Sequence, residues 1–188
     1  MDKIKQVIEA IEANTQEYIV IAIDGRCASG KTTLANKLAQ HFHANVFHMD
    51  DYFLRKEQRT KERLSEIGGN VDRERFIEEV ASKLHSDTDI VFAPFDCKTM
   101  TLKEKRAVKQ THITIIEGSY AMHPLLRKYY DYMIYLTIDP QTQQKRLYER
   151  NPEKYDNFIN RWIPLEETYF TAYCFEKICN ICIKAEEW

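Results

Sequence analysis

The chain has 188 residues, a formal net charge of −2 and an apolar share of 44%, which suits a single domain over 1–188 with an ordinary core. The small net charge gives no electrostatic footprint for a nucleic-acid partner. The sequence shows neither an apolar run of membrane-spanning length nor a signal-peptide pattern. We therefore expect a soluble, cytoplasmic protein with reduced cysteines and no membrane partner, and a homo-oligomer remains open.

The first half of the chain alternates helical and extended patterns. Apolar spacing predicts an amphipathic helix over 2–13, a buried strand over 18–23, a helix over 31–42 and a strand over 44–48. The charged residues 55–67 carry no such period, and we expect them to be mobile.

The second half continues this alternation after a turn at residues 68–70. Asp72 begins a helix, and residues 95–110 form an irregular or hairpin insertion. Asp139 and Pro140 predict the start of a helix by a cap and a first-turn proline. The remaining predicted elements are strands at 89–93, 113–116, 132–138 and 178–183 and helices at 125–130, 140–149 and 157–175.

The stretch from Gly25 to Thr32 fits the phosphate-binding pattern G-x-x-x-x-G-K-[ST] and lies between a predicted strand and a predicted helix. Glycines let successive amides point at an anion, and the helix adds the positive end of its dipole. Lys31 can reach the β- and γ-phosphates, and the Thr32 hydroxyl can ligate Mg²⁺. We therefore predict ATP and Mg²⁺ as cofactors, although the pattern does not separate ATP from GTP. The predicted nucleotide-binding residues are Gly25, Arg26, Cys27, Ala28, Ser29, Gly30, Lys31, Thr32, Thr33 and, from a later predicted helix, Arg146.

The order of elements predicts an α/β fold: a three-layer α/β/α P-loop NTPase with a mostly parallel central sheet. Ligands bind such sheets beyond the carboxyl ends of the strands. Asp50, Phe95 and Glu117 each follow or close a predicted strand. Asp50 is expected to face an acceptor hydroxyl, its alternatives being a solvated loop residue or a helix cap. Glu117 is expected to hold Mg²⁺ directly or through water, its alternative being a charge that fixes a loop.

Arg146 and Arg150 lie four residues apart on one predicted helix, and Asn151-Pro152 then breaks the pattern. This arrangement is typical of a lid, here about residues 150–160, whose arginines neutralise the transferred charge. The alternative is a pair of surface charges, with Arg150 paired to a neighbouring glutamate.

Together these residues resemble the uridine kinase and phosphoribulokinase group of P-loop kinases from Tyr18 onward. Four segments carry the resemblance. His48–Phe53 is similar to the family's Q-D-S/D-F-Y segment, and Asn70–Asp72 is similar to its N-Y/F-D segment. Phe92–Asp96 is similar to the family's V-P-x-Y-D segment, and Ile116–Gly118 is similar to its L-E-G segment. The resemblance implies a nucleoside- and nucleotide-kinase-like fold, with Asp50 as base toward the acceptor. It implies that Asp72 grips ribose hydroxyls, although Asp72 could also cap the next helix.

The resemblance further implies acceptor contacts from Tyr52, Phe95 and Arg150, and catalytic roles for Lys31, Asp50 and Arg150. The acceptor-binding insertions are about 53–71 and 95–110.

Two departures concern the acceptor. Cys97 and Met100 stand where the family has an aromatic residue and a histidine that help to hold the pyrimidine, and the family's arginine-rich lid is replaced by a shorter segment. The chain therefore resembles short-lid uridine-kinase-like proteins. This implies ATP-dependent transfer to a hydroxyl of a small-molecule acceptor, foremost a nucleoside such as uridine or cytidine. The alternatives are a kinase of pantothenate, nicotinamide riboside or a sugar phosphate, and an NTP-driven switch.

Overall fold

The computed structural model describes residues 3–187, and side chains over 3–186. Met1, Asp2 and Trp188 lie outside the described residues. The predicted first helix, over 2–13, therefore begins outside them. The strands are β1 (Ile19–Gly25), β2 (Asn45–His48), β3 (Ile90–Phe92), β4 (Phe95–Asp96), β5 (Thr101–Leu102), β6 (Arg106–Val108), β7 (Ile113–Glu117), β8 (Tyr132–Thr137) and β9 (Ile181–Lys184). The α-helices are α1 (Lys3–Glu12), α2 (Lys31–Phe42), α3 (Lys61–Ser65), α4 (Arg73–Glu79), α5 (Pro140–Arg150), α6 (Tyr155–Asn157), α7 (Ile163–Tyr173) and α8 (Phe175–Ile178).

Five parallel strands form the central sheet in the order β2-β7-β1-β8-β9. Every residue of the middle strand β1 is buried, as expected for a parallel strand that is covered on both faces. The carboxyl ends of β1, β2 and β7 therefore meet at one edge. The α/β P-loop fold predicted from the sequence is confirmed.

The two faces of the sheet carry separate hydrophobic cores. Ile21 and Ile23 of β1 belong to the core that Val7 of α1 and Leu34 of α2 complete. Alternate β1 residues such as Ala22 belong to the other core, with rings from α4, β8 and α7. This alternation follows from the two-residue period of a strand and gives the three predicted layers.

The predicted strand at 89–93 is not a strand of the central sheet, contrary to the simple alternation. β3 pairs antiparallel with β6, with Ile90 opposite Val108, and β4 pairs antiparallel with β5. Ile90 and Phe92 are nevertheless buried, whereas Val91 is 40% exposed. An apolar run predicts burial, but its pairing partner is decided by tertiary contacts. The segment 95–110, expected to be an irregular or hairpin insertion, contains a short hairpin of β4 and β5, followed by β6, which pairs with β3.

Two other segments differ from prediction. Residues 55–67, expected to be mobile, form a 3₁₀ turn (Lys56–Gln58) and α3. The Arg63 guanidinium holds them, because it donates to the carbonyls of Gly69 and Val71 and pairs with Glu74.

The single helix predicted over 157–175 is instead α6, a π-helix (Phe158–Trp162), α7 and α8. Pro164 lacks the N–H that a continuous ladder needs, so it interrupts regular helix at this point. A left-handed Cys174 then separates α7 from α8.

The other predicted bounds are close to the observed ones. Asp139 caps α5 by accepting from the backbone N–H groups of Gln141 and Thr142, as the sequence predicts. The short helix expected at 125–130 is a 3₁₀ turn (Arg127–Tyr129), and the last strand begins three residues late because α8 precedes it. Over the described part of the chain, the helices are too short or too polar to cross a bilayer.

Candidate active site

The phosphate-binding loop leaves the sheet in close contact with β8. Gly25 has φ +149°, and a Cβ there would lie 2.0 Å from the Leu136 carbonyl oxygen, so only glycine fits. The Arg26 N–H donates to that same carbonyl oxygen at 3.1 Å. Gly30, with φ +96°, is the residue from which α2 begins. The backbone required by the sequence motif is therefore present.

Lys31 and Thr32 start α2 and face the carboxyl ends of the strands. The Lys31 Nζ donates to the carbonyl oxygens of Gly25 (2.8 Å) and Arg26 (3.0 Å), so the side chain lies along the loop. The Thr32 Oγ1 lies 3.2 Å from the Glu117 Oε1. Glu117 ends β7, the neighbour of β1, and this pairing brings the two side chains together.

The oxygen atoms of Thr32 and Glu117 fit a magnesium site. Mg²⁺ prefers oxygen ligands and is usually bound by one or two protein groups together with water and substrate phosphates. The Nδ1 of His48, opposite Glu117 in the register of β2 and β7, lies 2.5 Å from the Glu117 Oε1. That hydrogen bond raises the pKa of His48.

Asp50 lies in the 3₁₀ turn (Met49–Tyr52) that follows β2. Its carboxylate keeps contact with solvent through a cavity, but nearby protein atoms remove much of its hydration. This desolvation is the main cause of a raised pKa, and repulsion from Glu117 adds to it against the opposing charges of Lys31 and His48. The Asp50 carboxylate is therefore more basic than an ordinary aspartate.

A cavity of about 910 Å³ joins the phosphate loop to the Asp50 turn. Its volume is within the usual range for ligand pockets. The predicted site residues that line it are Cys27, Ala28, Gly30, Lys31, Thr32, Thr33, Asp50, Phe95, Glu117, Arg146 and Arg150. Phe53, Cys97 and Met100 line it as well. The structure thus brings the phosphate loop, two carboxylates and two arginines around one space.

Five predicted site residues do not line this cavity. Tyr52 is fully buried between the rings of Phe76 and Phe92. Asp72 is 2% exposed and caps α4 by accepting from the Arg75 N–H, while its other oxygen accepts from the Gln58 amide.

The other three belong to the loop. Gly25 ends β1, Ser29 is fully buried, and the Arg26 guanidinium pairs with Glu167 of α7.

The two predicted lid arginines lie on α5. An Arg146 Nη1 donates to the Ala28 carbonyl oxygen of the phosphate loop at 3.2 Å. The Arg150 guanidinium lies 5.5 Å from the centre of the Phe158 ring. No ion pair joins Arg150 to Glu149 or Glu153, two side chains that the structure describes, so its charge stays available to the cavity.

Comparisons with known proteins agree with this geometry. The chain is 24% identical over 156 residues to uridine kinase-like protein 4 from Arabidopsis thaliana; the match covers 79% of the chain and 33% of that protein. The chain thus spans about a third of the length of this relative. The structure of a possible uridine kinase from Bacillus stearothermophilus has a TM-score of 0.76 and 27% identity, covering 97% of both chains. In sequence and in fold, the chain is therefore similar to the uridine kinase and phosphoribulokinase-like group of P-loop kinases.

A more distant solved structure shares the fold. Phosphoribulokinase from Rhodobacter spheroides gives a TM-score of 0.59 at 10% identity, covering 89% of this chain and 70% of the other. At that identity the likeness concerns the fold alone. No family model matches the chain.

One carboxylate at the cavity was missed by the sequence analysis. Glu166 of α7 is 5% exposed and lines the cavity. Its two oxygens accept from the Cys27 N–H (2.8 Å) and from the Ser119 hydroxyl (2.6 Å). Glu166 therefore connects the phosphate loop to the segment after Glu117. The sequence places two adjacent glutamates on a helix, which is the usual pattern of a solvated face.

Asp24 is a second buried carboxylate beside the loop. It accepts from the N–H groups of Gly25 (2.7 Å) and Met122 (2.8 Å) and from the Tyr169 hydroxyl (2.8 Å). It is fully buried, and desolvation raises its pKa to about 6 despite these hydrogen bonds. Asp24 therefore ties the end of β1 to α7.

Proposed function

We propose that this protein transfers the γ-phosphoryl group of ATP to a hydroxyl group of a small acceptor, foremost a nucleoside or related riboside. One observation carries the proposal: Lys31, Thr32 and Asp50 line a single cavity of about 910 Å³. A phosphate cradle and a basic carboxylate in one cavity are what phosphoryl transfer to an alcohol requires. The similarity to a uridine kinase-like protein and to a possible uridine kinase supports a riboside as the acceptor.

Each group of residues around the cavity has its own role in binding ATP and Mg²⁺. Loop amides and the Lys31 ammonium hold the β- and γ-phosphates. Thr32 and Glu117 would hold Mg²⁺, which supplies charge neutralisation at the phosphate oxygens when bound. Arg146 and Arg150 face the cavity from α5 and stabilise the negative charge of the transferred group.

Asp50 acts on the acceptor. Its carboxylate accepts the proton of the attacking hydroxyl, while a bond forms from that oxygen to the γ-phosphorus and the bond to the β–γ bridging oxygen breaks. ADP leaves with the electron pair of the broken bond. The raised pKa of Asp50 favours this role, because a more basic carboxylate takes the proton more readily.

The acceptor contacts remain part of the proposal. Phe95 and Phe53 offer apolar walls. Asp72 does not line the cavity in this conformation. It can bind ribose hydroxyls only if the Gln58 amide stops donating to the Asp72 carboxylate. Tyr52 acts through the Asp50 turn, which it anchors in the core.

The test is a panel of acceptors offered with ATP and Mg²⁺: nucleosides, vitamin-like alcohols and sugar phosphates. The non-nucleosides belong in the panel because Cys97 and Met100 line the cavity. ADP release and the mass of the product are measured, with ATP alone as the control. We expect ADP in proportion to one acceptor, with a product heavier by one phosphoryl group. Equal ADP release without any acceptor would instead indicate a nucleotide-hydrolysing switch.

A further inference from the structure

A second cavity of about 480 Å³ lies beside the main one, and we call it the side chamber. Arg59, Asn70, Tyr120 and Trp162 line both cavities, so the two spaces adjoin. Its walls come from the segment 59–70 on one side and from the π-helix and the start of α7 on the other. The phosphoryl-transfer steps above use none of it.

The side chamber carries positive charge that no acidic group compensates. Arg59 and Arg161 line it, and neither guanidinium has a carboxylate partner among the side chains of residues 3–186. Glu66 also lines the chamber, but its carboxylate is taken by Arg73 and Arg63. The hydrogen bond from Arg73 lowers the pKa of the Glu66 carboxylate, so Glu66 stays ionised and paired with Arg73. Two free guanidinium groups are thus left facing the space.

The chamber also offers hydrogen-bonding groups and a fixed arginine. The Arg161 guanidinium lies 4.8 Å from the centre of the Trp162 ring, which favours a defined position for its charge. Asn70, 7% exposed, and Asn160 add amide groups to the walls. Guanidinium forks together with amide donors are the usual recognition elements for phosphate and carboxylate oxygens.

The cations of the two cavities have different neighbours. Lys31, Arg146 and Arg150 line the main cavity together with Asp50, Glu117 and Glu166, and in the proposed reaction they hold the phosphates of ATP. Arg161 lines the side chamber, and Arg59 lies where the two spaces adjoin. With ATP on the phosphate loop, an acceptor whose hydroxyl lies toward Asp50 can direct an anionic end toward Arg59 and Arg161.

We propose that the side chamber binds an oxyanionic group, a phosphate ester or a carboxylate, at the end of the acceptor remote from the reacting hydroxyl. This inference rests on the proposed phosphoryl transfer, and it narrows the acceptor from any small alcohol to an anionic one.

The kinetic test uses acceptors matched in shape but not in charge: orotidine with uridine, ribose 5-phosphate with ribose, and pantothenate with panthenol. We expect the anionic member of one pair to have a KM lower by about tenfold or more, as expected for charge-assisted hydrogen bonds. The pair that responds distinguishes a phosphate from a carboxylate.

Arginine variants assign that preference to the chamber. Arg161→Gln changes a residue that lines the side chamber and not the main cavity, so it should raise the KM of the anionic member by about tenfold and leave kcat and the KM of its neutral partner unchanged. Arg59→Gln should raise the KM of the anionic member more than that of its neutral partner. Arg106→Gln is the matched control, because Arg106 is exposed on β6 and lines neither cavity. If neutral and anionic members are phosphorylated equally and the variants change neither, the inference is overturned while the kinase activity stands.

A binding measurement tests the side chamber independently of catalysis. If no acceptor is phosphorylated, the proposed function is rejected, but the binding measurement still decides whether the chamber binds an oxyanion. The chain has two tryptophans, so a Trp188→Phe background leaves Trp162 as the fluorescent reporter on the chamber wall. With the loop filled by a non-hydrolysable ATP analogue, inorganic phosphate, acetate and ribose 5-phosphate are titrated. Saturable quenching by at least one probe, weakened about tenfold by Arg59→Gln or Arg161→Gln, supports the chamber. Absence of quenching by all of them overturns it.

Discussion

Asp50 and Asp51 are adjacent in sequence, but only Asp50 lines the cavity. The reason lies in the 3₁₀ turn, in which successive side chains point about 120° apart. Met49 and Tyr52 of that turn are buried and fix its orientation, and Arg75 binds the Asp51 carbonyl oxygen. Two buried anchors thus determine which of two similar carboxylates can meet an acceptor.

The first prediction concerns Asp50→Asn. The amide keeps the shape but cannot accept the hydroxyl proton, so kcat should fall by about 10²- to 10⁴-fold, with ATP affinity nearly unchanged. Steady-state kinetics and a nucleotide titration measure the two quantities. Asp51→Asn is the matched control and should retain most of the wild-type kcat. Near-normal turnover in Asp50→Asn would exclude the base role.

Asp24 shows how a buried charge links pH to stability. Its folded-state pKa, about 6, exceeds the ordinary value of 3.8. The folded protein therefore holds this proton more tightly than the unfolded chain does. The resulting stabilisation is complete below the unfolded pKa and is lost as the pH rises through the folded one.

The second prediction follows from that titration. Asp24→Asn cannot ionise, so its free energy of unfolding relative to wild type should shift in favour of the variant by up to about 3 kcal/mol between about pH 4 and about pH 7. Urea denaturation across this range gives the difference. Asp87→Asn, at an exposed position, should show no such trend. A difference independent of pH would mean that Asp24 does not titrate in this window.

At the scale of elements, α7 is a support for the phosphate loop. Glu167 pairs with the Arg26 side chain, and Glu166 accepts from the Cys27 N–H. The Tyr169 hydroxyl binds Asp24 just before the loop. Three residues of one helix thus hold Asp24, Arg26 and Cys27, at and just before the start of the loop. The helix follows directly on the segment predicted to be a lid, so loop and lid share a support.

The third prediction tests this support. Glu166→Ala leaves two donors, the buried Cys27 N–H and the half-buried Ser119 hydroxyl, without an acceptor. It should lower the free energy of unfolding by about 1–3 kcal/mol and raise the KM for ATP. Glu166→Gln keeps an acceptor oxygen for the Cys27 N–H and should lose less. Glu78→Ala, at an exposed position on α4, is the control for denaturation and kinetics. Equal behaviour of Glu166→Ala and this control would count against a role for α7.

For the whole molecule, the site depends on the order of strands in the sheet. β7 lies between β1 and β2, so Glu117 comes close to both Thr32 and His48. These residues lie 69 to 85 positions apart from Glu117 in sequence. The parallel arrangement places the phosphate loop, the predicted metal-binding carboxylate and the Asp50 turn at one edge of the sheet.

The fourth prediction concerns ligand binding by the whole protein. ATP with Mg²⁺ should raise the free energy of unfolding by about 2.7 kcal/mol at a nucleotide concentration of about 100 times Kd. Removal of Mg²⁺ with EDTA should reduce the effect, and so should Glu117→Gln. Thermal denaturation with and without nucleotide measures it. Lys31→Ala should lose most of the stabilisation, whereas exposed Lys61→Ala should keep it. An unchanged shift in Lys31→Ala would place the nucleotide elsewhere.

The sequence by itself determined the features that depend on local chemistry. The pattern from Gly25 to Thr32 predicts the phosphate loop because glycine geometry, lysine charge and a following helix are encoded in consecutive residues. The apolar runs predict the strands of the central sheet, and Asp139 predicts the start of α5, because these signals too are encoded in neighbouring residues.

Only the tertiary structure decided the features that depend on residues far apart in the chain. It placed β3 outside the central sheet, buried Tyr52 and Asp72, and brought Glu166, which the sequence analysis does not single out, into a hydrogen bond with the phosphate loop. Which partner a strand pairs with, and which polar group a buried carboxylate meets, are set by the packing of distant segments. A local sequence pattern does not specify contacts between residues that are far apart in the chain.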